Sequence, residues 1–167
     1  MIPRKSTSGF TLIELIVVLG VVSVVVFLGI LSVGSFLSRS RLKNSAEDIA
    51  STLRWARRLS ITKRREYRVV FDPARRKYWI EDEEKMVIEG KHSLLENVAF
   101  ADPDLWKREE EDGIVEFDDP DDDSLSFYPQ GTAETGSIYL RNEGSGRWYT
   151  ITISSTTGYI RVYPEKH

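Results

Sequence analysis

The sequence predicts an α+β protein in which one long N-terminal helix packs on a head of antiparallel β-sheet. Three patterns support this fold class: an uncharged apolar run from Leu15 to Leu37, apolar positions at intervals of three and four through residues 39–64, and alternating polarity from Tyr67 onward. A chain of 167 residues has room for one domain of ordinary size with an appendage. The predicted segments are a leader peptide at 1–9, a transmembrane helix at 10–38, an amphipathic stem helix at 39–64 and a β-rich head at 65–167.

The first segment is a short polar stretch from Met1 to Gly9 that carries Arg4 and Lys5 and ends at a glycine. The following run has no charged side chain from Leu15 to Leu37, which is roughly 35 Å of helix at ~1.5 Å per residue, against a hydrocarbon core of ~30 Å. A secretory signal peptide is the alternative, but no small-x-small cleavage site closes a short apolar stretch here. We therefore expect a single membrane-spanning helix.

Glu14 stands at the edge of the apolar run, where an unpaired carboxylate costs on the order of 2 kcal/mol or more. The group is therefore expected to have a partner, although a position near the lipid headgroups would also tolerate it. Residues 9–15 have the sequence GFTLIEL. This segment resembles the processing site of type IV prepilins and of type II secretion pseudopilins.

The resemblance implies cleavage between Gly9 and Phe10 by a prepilin peptidase and methyltransferase on the cytoplasmic side, followed by N-methylation of Phe10. Glu14 then becomes the fifth mature residue and an assembly residue, because its carboxylate meets the N-terminal amine of a neighbouring subunit. Loss of Arg4 and Lys5 from the 23 Lys and Arg residues leaves 21 against 26 Asp and Glu, a formal charge of −5. The mature protein is therefore acidic.

The predicted stem helix has one apolar stripe and one basic side. The stripe is formed by Leu42, Ala46, Ile49, Leu53 and Ala56, and Trp55 is a further candidate for the core. The basic residues are Arg41, Lys43, Arg54, Arg57 and Arg58. A basic helix of this kind is typical of segments that bind nucleic acid or a membrane surface, but Glu47 and Asp48 interrupt the basic side. A solvated helix face is therefore the favoured interpretation.

Beyond the stem, alternation with a period of two predicts strands. Tyr67 to Phe71 and Lys77 to Asp82 form a predicted hairpin around the turn at Asp72 to Arg76. Weaker strands are predicted at Met86 to Ile88, Val98 to Phe100 and Ile114 to Phe117. Stronger strands are predicted at Leu125 to Tyr128, Ser137 to Arg141, Trp148 to Ser154 and Tyr159 to Tyr163. The last four, with glycine turns between them, predict an antiparallel sheet.

The C-terminal strands contain a fingerprint of spaced residues in the order F-x-P-x-G, G-x-I-x-L, I-x-I-S and T-G-x-x-R. This order resembles the minor pseudopilin H family, also called the GspH/FimT group, and the likeness covers most of the chain apart from residues 83–123. It implies a type IV pilin-like fold in which the fingerprint is structural. Its defining positions here are Phe127, Pro129, Gly131, Gly158 and Arg161.

One position departs from this family pattern. Members often have an arginine directly after the threonine-glycine pair, whereas this chain has Tyr159 and keeps Arg161 two residues later. Some pilin relatives that take up DNA use basic residues around this last strand. The substitution and the acidity of the mature chain both argue against nucleic acid as a partner.

No constellation in the sequence predicts catalysis or a cofactor. The histidines are His92, in a predicted loop, and His167, and neither has an evident nucleophile beside it. The absence of cysteine excludes disulfides and thiolate metal sites. The aspartate-rich run at 118–123 lacks the spacing of an EF-hand, so a solvated loop is favoured over calcium binding and no metal ligand is assigned. Gly144 and Gly146 fit a hairpin turn.

The resemblance at both ends of the chain implies a minor pseudopilin of a type II secretion pseudopilus, which assembles with other pseudopilins to support protein export. The expected partners are major and minor pseudopilins, the prepilin peptidase, an inner-membrane secretion or pilus platform, and membrane lipid. The expected location is the bacterial inner membrane, crossed once, with the C-terminal head in the periplasm. A minor pilin of a type IV pilus, active in pilus assembly or in competence DNA uptake, is the alternative because it shares the leader, stem and head.

Overall fold

The computed structural model describes residues 11–101, 114–116 and 123–165, with the backbone alone for residues 28–37 and 114–116. The chain divides into two compact units, Met1–Leu37 and Ser38–His167. The predicted leader at 1–9, Phe10 and the acidic residues 118–122 lie outside the described residues.

One helix, α1, runs from Leu12 to Lys63, as the apolar run and the following stripe predicted. Thr11 caps its first turn, because the Thr11 Oγ1 accepts a hydrogen bond from the Glu14 N–H at 3.3 Å. The helix ends where Arg64 adopts a left-handed backbone conformation with φ of 55°.

The predicted apolar stripe of the stem is confirmed as the side of α1 that enters the core. Each of its five residues is at most 1% exposed, and they pack in one cluster with residues from both sheets of the head. Trp55 is not part of this core, since 41% of it is exposed. It lies about 200° around the helix from Leu53 and therefore outside the buried stripe.

The first sheet is antiparallel and contains β1 (Tyr67–Asp72), β2 (Lys77–Asp82), β3 (His92–Ser93) and β6 (Ser124–Phe127). Its strand order is β3-β2-β1-β6. The predicted hairpin has the expected register, with Tyr67 opposite Asp82 and Asp72 opposite Lys77. In its turn, Asp72 Oδ1 accepts the Arg75 N–H at 2.9 Å, a bond that lowers the pKa of the Asp72 carboxyl.

The second sheet is also antiparallel and is built around one long central strand. Its strands are β4 (Val98–Phe100), β5 (Ile114–Glu116), β7 (Gly136–Asn142), β8 (Trp148–Ser154) and β9 (Tyr159–Tyr163). β7 pairs with β8 along one edge, while β4 and β5 pair with its two ends along the other. β9 then pairs with β8.

The structure differs from the predicted strand arrangement at three places. β6 pairs with β1 of the first sheet instead of joining the C-terminal strands, because alternation marks a strand without specifying its neighbour. The segment Met86 to Ile88 forms only an isolated bridge at Val87, and its side chains remain exposed. His92, predicted in a loop, lies in the two-residue strand β3.

Candidate assembly surfaces and the helix–head junction

The described part of the processing motif, from Thr11 to Leu15, forms the capped first turn of α1. Thr11 and Glu14 have the spacing of a capping box, in which the first residue accepts the backbone N–H of the third helical residue. Glu14 is exposed in this first turn, where a carboxylate also favours the positive end of the helix dipole. Gly9 and Phe10, the predicted processing residues, lie outside the described part of the chain.

Apolar side chains cover the described part of the N-terminal unit on all sides. The large apolar residues between Leu12 and Phe27 are 50% to 78% exposed. The Ser23 hydroxyl is satisfied within the helix, since it donates to the Leu19 carbonyl at 2.8 Å. Exposed apolar surface of this extent marks contact with lipid or with another protein.

Within the described residues, no helical segment has both the length and the apolar character needed to cross a membrane. The transmembrane helix predicted at 10–38 includes residues 28–37, whose side chains lie outside the described set.

Arg57 joins the stem part of α1 to two of the fingerprint glycines. Its Nε donates a hydrogen bond to the carbonyl oxygen of Gly131 at 3.2 Å. A Cβ on Gly158 would lie 2.6 Å from that same oxygen and 2.7 Å from the Arg57 Nε. Gly131 and Gly158 also have φ of 86° and 58°, which disfavours any other residue. Gly158 is therefore needed for the guanidinium to fit, whereas Gly131 is favoured by its backbone conformation, because a Cβ there would lie at an ordinary contact distance of 3.5 Å from Arg57 Nη2.

A second contact fastens the same end of the helix to the loop after β6. The buried Ser60 hydroxyl lies 3.1 Å from the Tyr128 carbonyl and 2.8 Å from the Arg57 carbonyl. The Gly131 N–H closes the loop by bonding to the Tyr128 carbonyl at 2.9 Å. Ala133 N–H then reaches the Ser155 carbonyl of the β8–β9 turn at 3.0 Å. This loop links α1, the first sheet and the second sheet.

The remaining fingerprint residues occupy different environments. Phe127 is fully buried in the core at the end of β6, whereas Pro129 is exposed in the loop. Arg161 lies on the exposed side of β9, with its guanidinium carbon 5.5 Å from the ring centre of Tyr159. A hydrogen bond with Tyr163 raises the pKa of Arg161 above its ordinary value. Arg161 is thus held between two tyrosines.

Two concave surfaces of opposite charge flank α1 in the head. The first, here called the basic groove, has a volume of about 380 Å³ and is lined by residues that include Arg54, Arg57, Arg58, Ile61 and Tyr159. The second, here called the acidic pocket, has a volume of about 410 Å³ and is lined by Asp48, Ser51, Thr52, Trp55, Glu89 and His92. Three of the five basic residues that were predicted to lie on a solvated helix face, Arg54, Arg57 and Arg58, therefore line a groove.

Tyr78 is buried and contacts two residues of the acidic pocket, Thr52 and His92. Its ring stacks on His92 with centres 5.3 Å apart and planes 14° apart. Burial raises the pKa of Tyr78 to about 12, and the nearby Asp48 charge acts in the same direction. The phenol therefore stays neutral over the whole physiological range.

No group of three metal-binding side chains occurs among the residues that the structure describes. The Gly144–Gly146 segment forms the β7–β8 turn, where Asn142 Oδ1 accepts the Ser145 N–H at 2.8 Å. The same oxygen accepts the Ser38 hydroxyl at 2.8 Å. The turn is therefore held by one buried amide group.

Three residues of the junction were not predicted from the sequence. Arg57 was assigned to a solvated face, and Ser60 and Asn142 were assigned no role. Ser60 had a usable signal, because it lies four residues after Ala56 and extends the buried stripe. For Arg57 and Asn142 no local signal exists, since their partners are distant in the chain.

Comparison with known families gives two matches. The family described as Type II transport protein GspH matches residues 45–157, and the prokaryotic N-terminal methylation motif matches residues 4–30. The second match includes Gly9, Phe10 and Glu14. No curated protein sequence matches the chain.

Solved structures of similar fold include a pseudopilin and a pilin. The minor pseudopilin EpsH from the type 2 secretion system of Vibrio cholerae is 14% identical, with a TM-score of 0.56, over 74% of this chain and 97% of that one. The type IV minor pilin FimU of Pseudomonas aeruginosa is 16% identical, with a TM-score of 0.53, over 74% of this chain and 93% of that one. At these identities the likeness shows the shared fold.

Proposed function

The chain belongs to the GspH family of type II transport proteins, and from this membership we propose that it works as a membrane-anchored minor pseudopilin. In this role it is processed at its N-terminus, held in the inner membrane by one helix, and assembled with other pseudopilins into the filament that supports protein export. The function is structural: the subunit provides surfaces and no reaction.

The observation that carries this proposal is the contrast between the two parts of α1. Between Leu12 and Phe27 the large apolar side chains are half or more exposed, whereas the stripe from Leu42 to Ala56 is buried in the core of the head. A protein that stayed alone in water would not leave so much apolar surface open. We expect lipid to cover this apolar surface before assembly and neighbouring helices to cover it in the filament.

Processing comes first in the proposed sequence of events. The motif match at residues 4–30 supports removal of residues 1–9 by a prepilin peptidase and methylation of the new N-terminal Phe10. The helix at 10–38 then anchors the chain, because Leu15 to Leu37 contain no charge. The head is placed in the periplasm, where it meets the secretion platform and the other subunits.

Glu14 is the proposed assembly residue of the anchored chain. The capped first turn holds its carboxylate on a rigid helix end. A carboxylate taken into lipid is unfavourable unless an opposite charge is near it. The amine of Phe10 on a neighbouring subunit supplies that charge, so the pairing both removes the penalty and selects one axial register.

The alternative is a minor pilin of a type IV pilus. The observation that favours it is the fold shared with the minor pilin FimU, which has the same helix and sheet plan. Competence DNA uptake is less favoured. Tyr159 occupies the position where family members often have arginine, and the Arg161 charge lies between two tyrosines on an acidic protein.

Isolation of the tagged full-length chain from bacterial membranes tests the proposal. The purified material is examined by mass spectrometry for the mature N-terminus at Phe10 and for its co-isolated proteins. Recovery of type II pseudopilins and secretion-platform proteins is the expected result. Recovery of pilus subunits alone would support the alternative, and a chain that is isolated unprocessed and without either set would contradict both.

A further inference from the structure

The second sheet ends at β9, which pairs only with β8 in the part of the chain that the structure describes. We propose that the outer edge of β9 binds a partner protein by strand addition. An extended acidic segment of the partner pairs with the backbone of β9, and its carboxylates meet Arg54 and Arg58 on one face and Arg161 on the other. The inference goes beyond the function proposed above, because it assigns the head a binding site that neither processing nor anchoring uses.

The first support is the open backbone of β9. With five residues it is the longest edge strand among the described residues. Within those residues, Ile160 and Val162 make no backbone hydrogen bond outside the pairing with β8. Proteins usually cover such an edge or interrupt it with a bulge, because its unpaired N–H and C=O groups are a template for another extended chain. Strand addition satisfies these groups.

The second support is the charge on the helix side of this edge. Arg54, Arg58 and Ile61 have helix spacings of four and three, so they lie on one face of α1. They line the basic groove together with Tyr159 and Ile160 of β9. Neither arginine forms an ion pair with any residue that the structure describes. Every second side chain of a segment added to β9 would point toward these two guanidinium groups.

The third support is a concave surface on the other face of β9, here called the outer cleft. It has a volume of about 420 Å³ and is lined by residues that include Thr152, Tyr159, Arg161 and Tyr163. Tyr159 lines both the outer cleft and the basic groove, and 61% of it is exposed. The hydrogen bond with Tyr163 holds the exposed Arg161 in place. The edge of β9 is therefore bordered by arginine on both faces.

These two faces favour a carboxylate-bearing polypeptide as the occupant. Guanidinium groups bind carboxylates through strong charge-assisted hydrogen bonds, and arginine and exposed aromatic residues are enriched at protein interfaces. The backbone of β9 adds a requirement for amide groups in an extended chain. Charge complementarity then gives the contact its specificity, because alternate side chains of the added segment meet the basic groove and the outer cleft.

Two other occupants fit this edge poorly. A second copy that offered its own β9 would bring no carboxylate, since residues 159–163 contain no aspartate or glutamate, and symmetric pairing would set Arg161 against Arg161. A nucleic acid has no backbone amides to pair with the strand. The formal charge of the chain is −3, which also weakens long-range attraction to a polyanion.

Binding of a synthetic peptide to the purified full-length chain in an uncharged detergent tests the proposal. The probe is a short acetylated peptide that alternates glutamate with threonine, and the measurements are its affinity and the hydrogen exchange of backbone amides. The probe should bind and should slow exchange at Ile160 and Val162, where outward N–H groups gain acceptors. A peptide with lysine in place of glutamate should bind about tenfold more weakly or less.

Methylation of the probe separates strand addition from attraction between charges alone, and it leaves the protein unchanged. A peptide with all amide nitrogens methylated keeps its carboxylates but cannot donate hydrogen bonds to β9. Its affinity should fall by about tenfold or more, because backbone hydrogen bonds supply much of the affinity in strand addition.

Charge reversal in the protein tests the two faces separately. Arg58→Glu in the basic groove and Arg161→Glu in the outer cleft should each lower the affinity for the glutamate probe by about tenfold. Both side chains are exposed, so both variants should fold, and urea unfolding checks this. Arg65→Glu is the matched control, because it makes the same change of charge outside both concave surfaces. It should leave the affinity nearly unchanged.

Three results overturn the proposal: no binding of the glutamate probe, equal binding of the methylated probe, or slowed exchange in a strand other than β9. Binding that ignores both Arg58→Glu and Arg161→Glu also overturns it, as does Arg58-dependent binding of a single-stranded oligonucleotide without binding of the peptide. All of these measurements use the purified chain alone. They are therefore independent of the processing and co-isolation results that decide the proposed function.

Discussion

Arg57 donates a hydrogen bond from its Nε to the carbonyl oxygen of Gly131, 3.2 Å away and 74 residues later in the chain. This bond brings the end of the stem helix onto the loop after β6, and Gly158 lies against the same pair of groups. Two fingerprint glycines and one arginine thereby become a single packing unit. Substitutions in this unit should therefore destabilise the head more than substitutions at exposed positions such as Arg54 and Gly146.

Replacing Gly158 by Ala should destabilise the head by about 2–4 kcal/mol. The new Cβ would lie 2.6 Å from the Gly131 oxygen, and the residue would also be held at φ of 58°. Gly146→Ala is the matched control, because Gly146 has φ of 65° but no atom near the added Cβ. It should lose only about 1 kcal/mol. Urea unfolding of a head fragment covering residues 38–167 measures both, and equal losses would contradict the packing argument.

Replacing Arg57 by Ala should lower the free energy of unfolding by about 1–3 kcal/mol, since the Gly131 carbonyl loses its donor and the stem loses packing. Arg54→Ala, one turn earlier on the exposed side, should change it by less than about 0.5 kcal/mol. The same unfolding assay compares them. If the two variants are equally stable, Arg57 is an ordinary surface residue.

The head should lose stability between pH 10 and pH 12 through Tyr78. Burial raises the pKa of Tyr78 in the folded protein to about 12 from its ordinary value of 10.0, so the folded protein holds this proton more tightly. The contribution of this proton to the free energy of unfolding is complete below pH 10 and is lost as the pH rises to about 12. The total loss is at most about 2–3 kcal/mol.

Unfolding curves at several alkaline pH values measure this effect. Tyr78→Phe should flatten that part of the profile, whereas Tyr159→Phe, at an exposed site, should leave it unchanged. A profile that is identical in the wild type and in Tyr78→Phe would show that Tyr78 is not the titrating group.

Replacing Gly9 by Val should block removal of the leader. We expect the peptidase to require a small residue there, because the chain must pass extended through its active site. The mass of the membrane-bound protein should remain that of the precursor, while Ser8→Ala should be processed normally. A Gly9→Val chain that still shifts to the mature mass would contradict the cleavage assignment.

Replacing Glu14 by Val should leave cleavage and membrane insertion intact and impair assembly. Insertion depends on hydrophobicity, so Val should make the free energy of membrane insertion more favourable by on the order of 2 kcal/mol. The pairing with the Phe10 amine of a neighbouring subunit is lost. Crosslinking to partner pseudopilins at equal membrane abundance is the measurement, with Glu14→Asp as the variant that keeps the charge. Equal yields from the wild type and Glu14→Val would mean that Glu14 is not an assembly residue.

The local patterns of the sequence were sufficient for the elements that depend on nearby residues. The buried stripe from Leu42 to Ala56 follows directly from spacings of three and four. The bounds predicted for β2, β8 and β9 agree with those observed. Helix and strand periodicity arise within a few residues, so they can be identified without knowledge of the rest of the fold.

Only the tertiary structure decided which distant groups meet. Pairing of β6 with β1 and the insertion of Arg57 between Gly131 and Gly158 both join residues far apart in the chain. The sequence marked Gly131 and Gly158 as fingerprint positions but contained no signal for the guanidinium that they accommodate. Helical periodicity alone does not determine whether a side chain outside the apolar stripe is exposed or buried. Its burial depends on which strands and loops of the head pack against it. Trp55 is exposed, whereas Arg57, two residues later, is partly buried against the Gly131 carbonyl, so the two environments occur within one turn of α1.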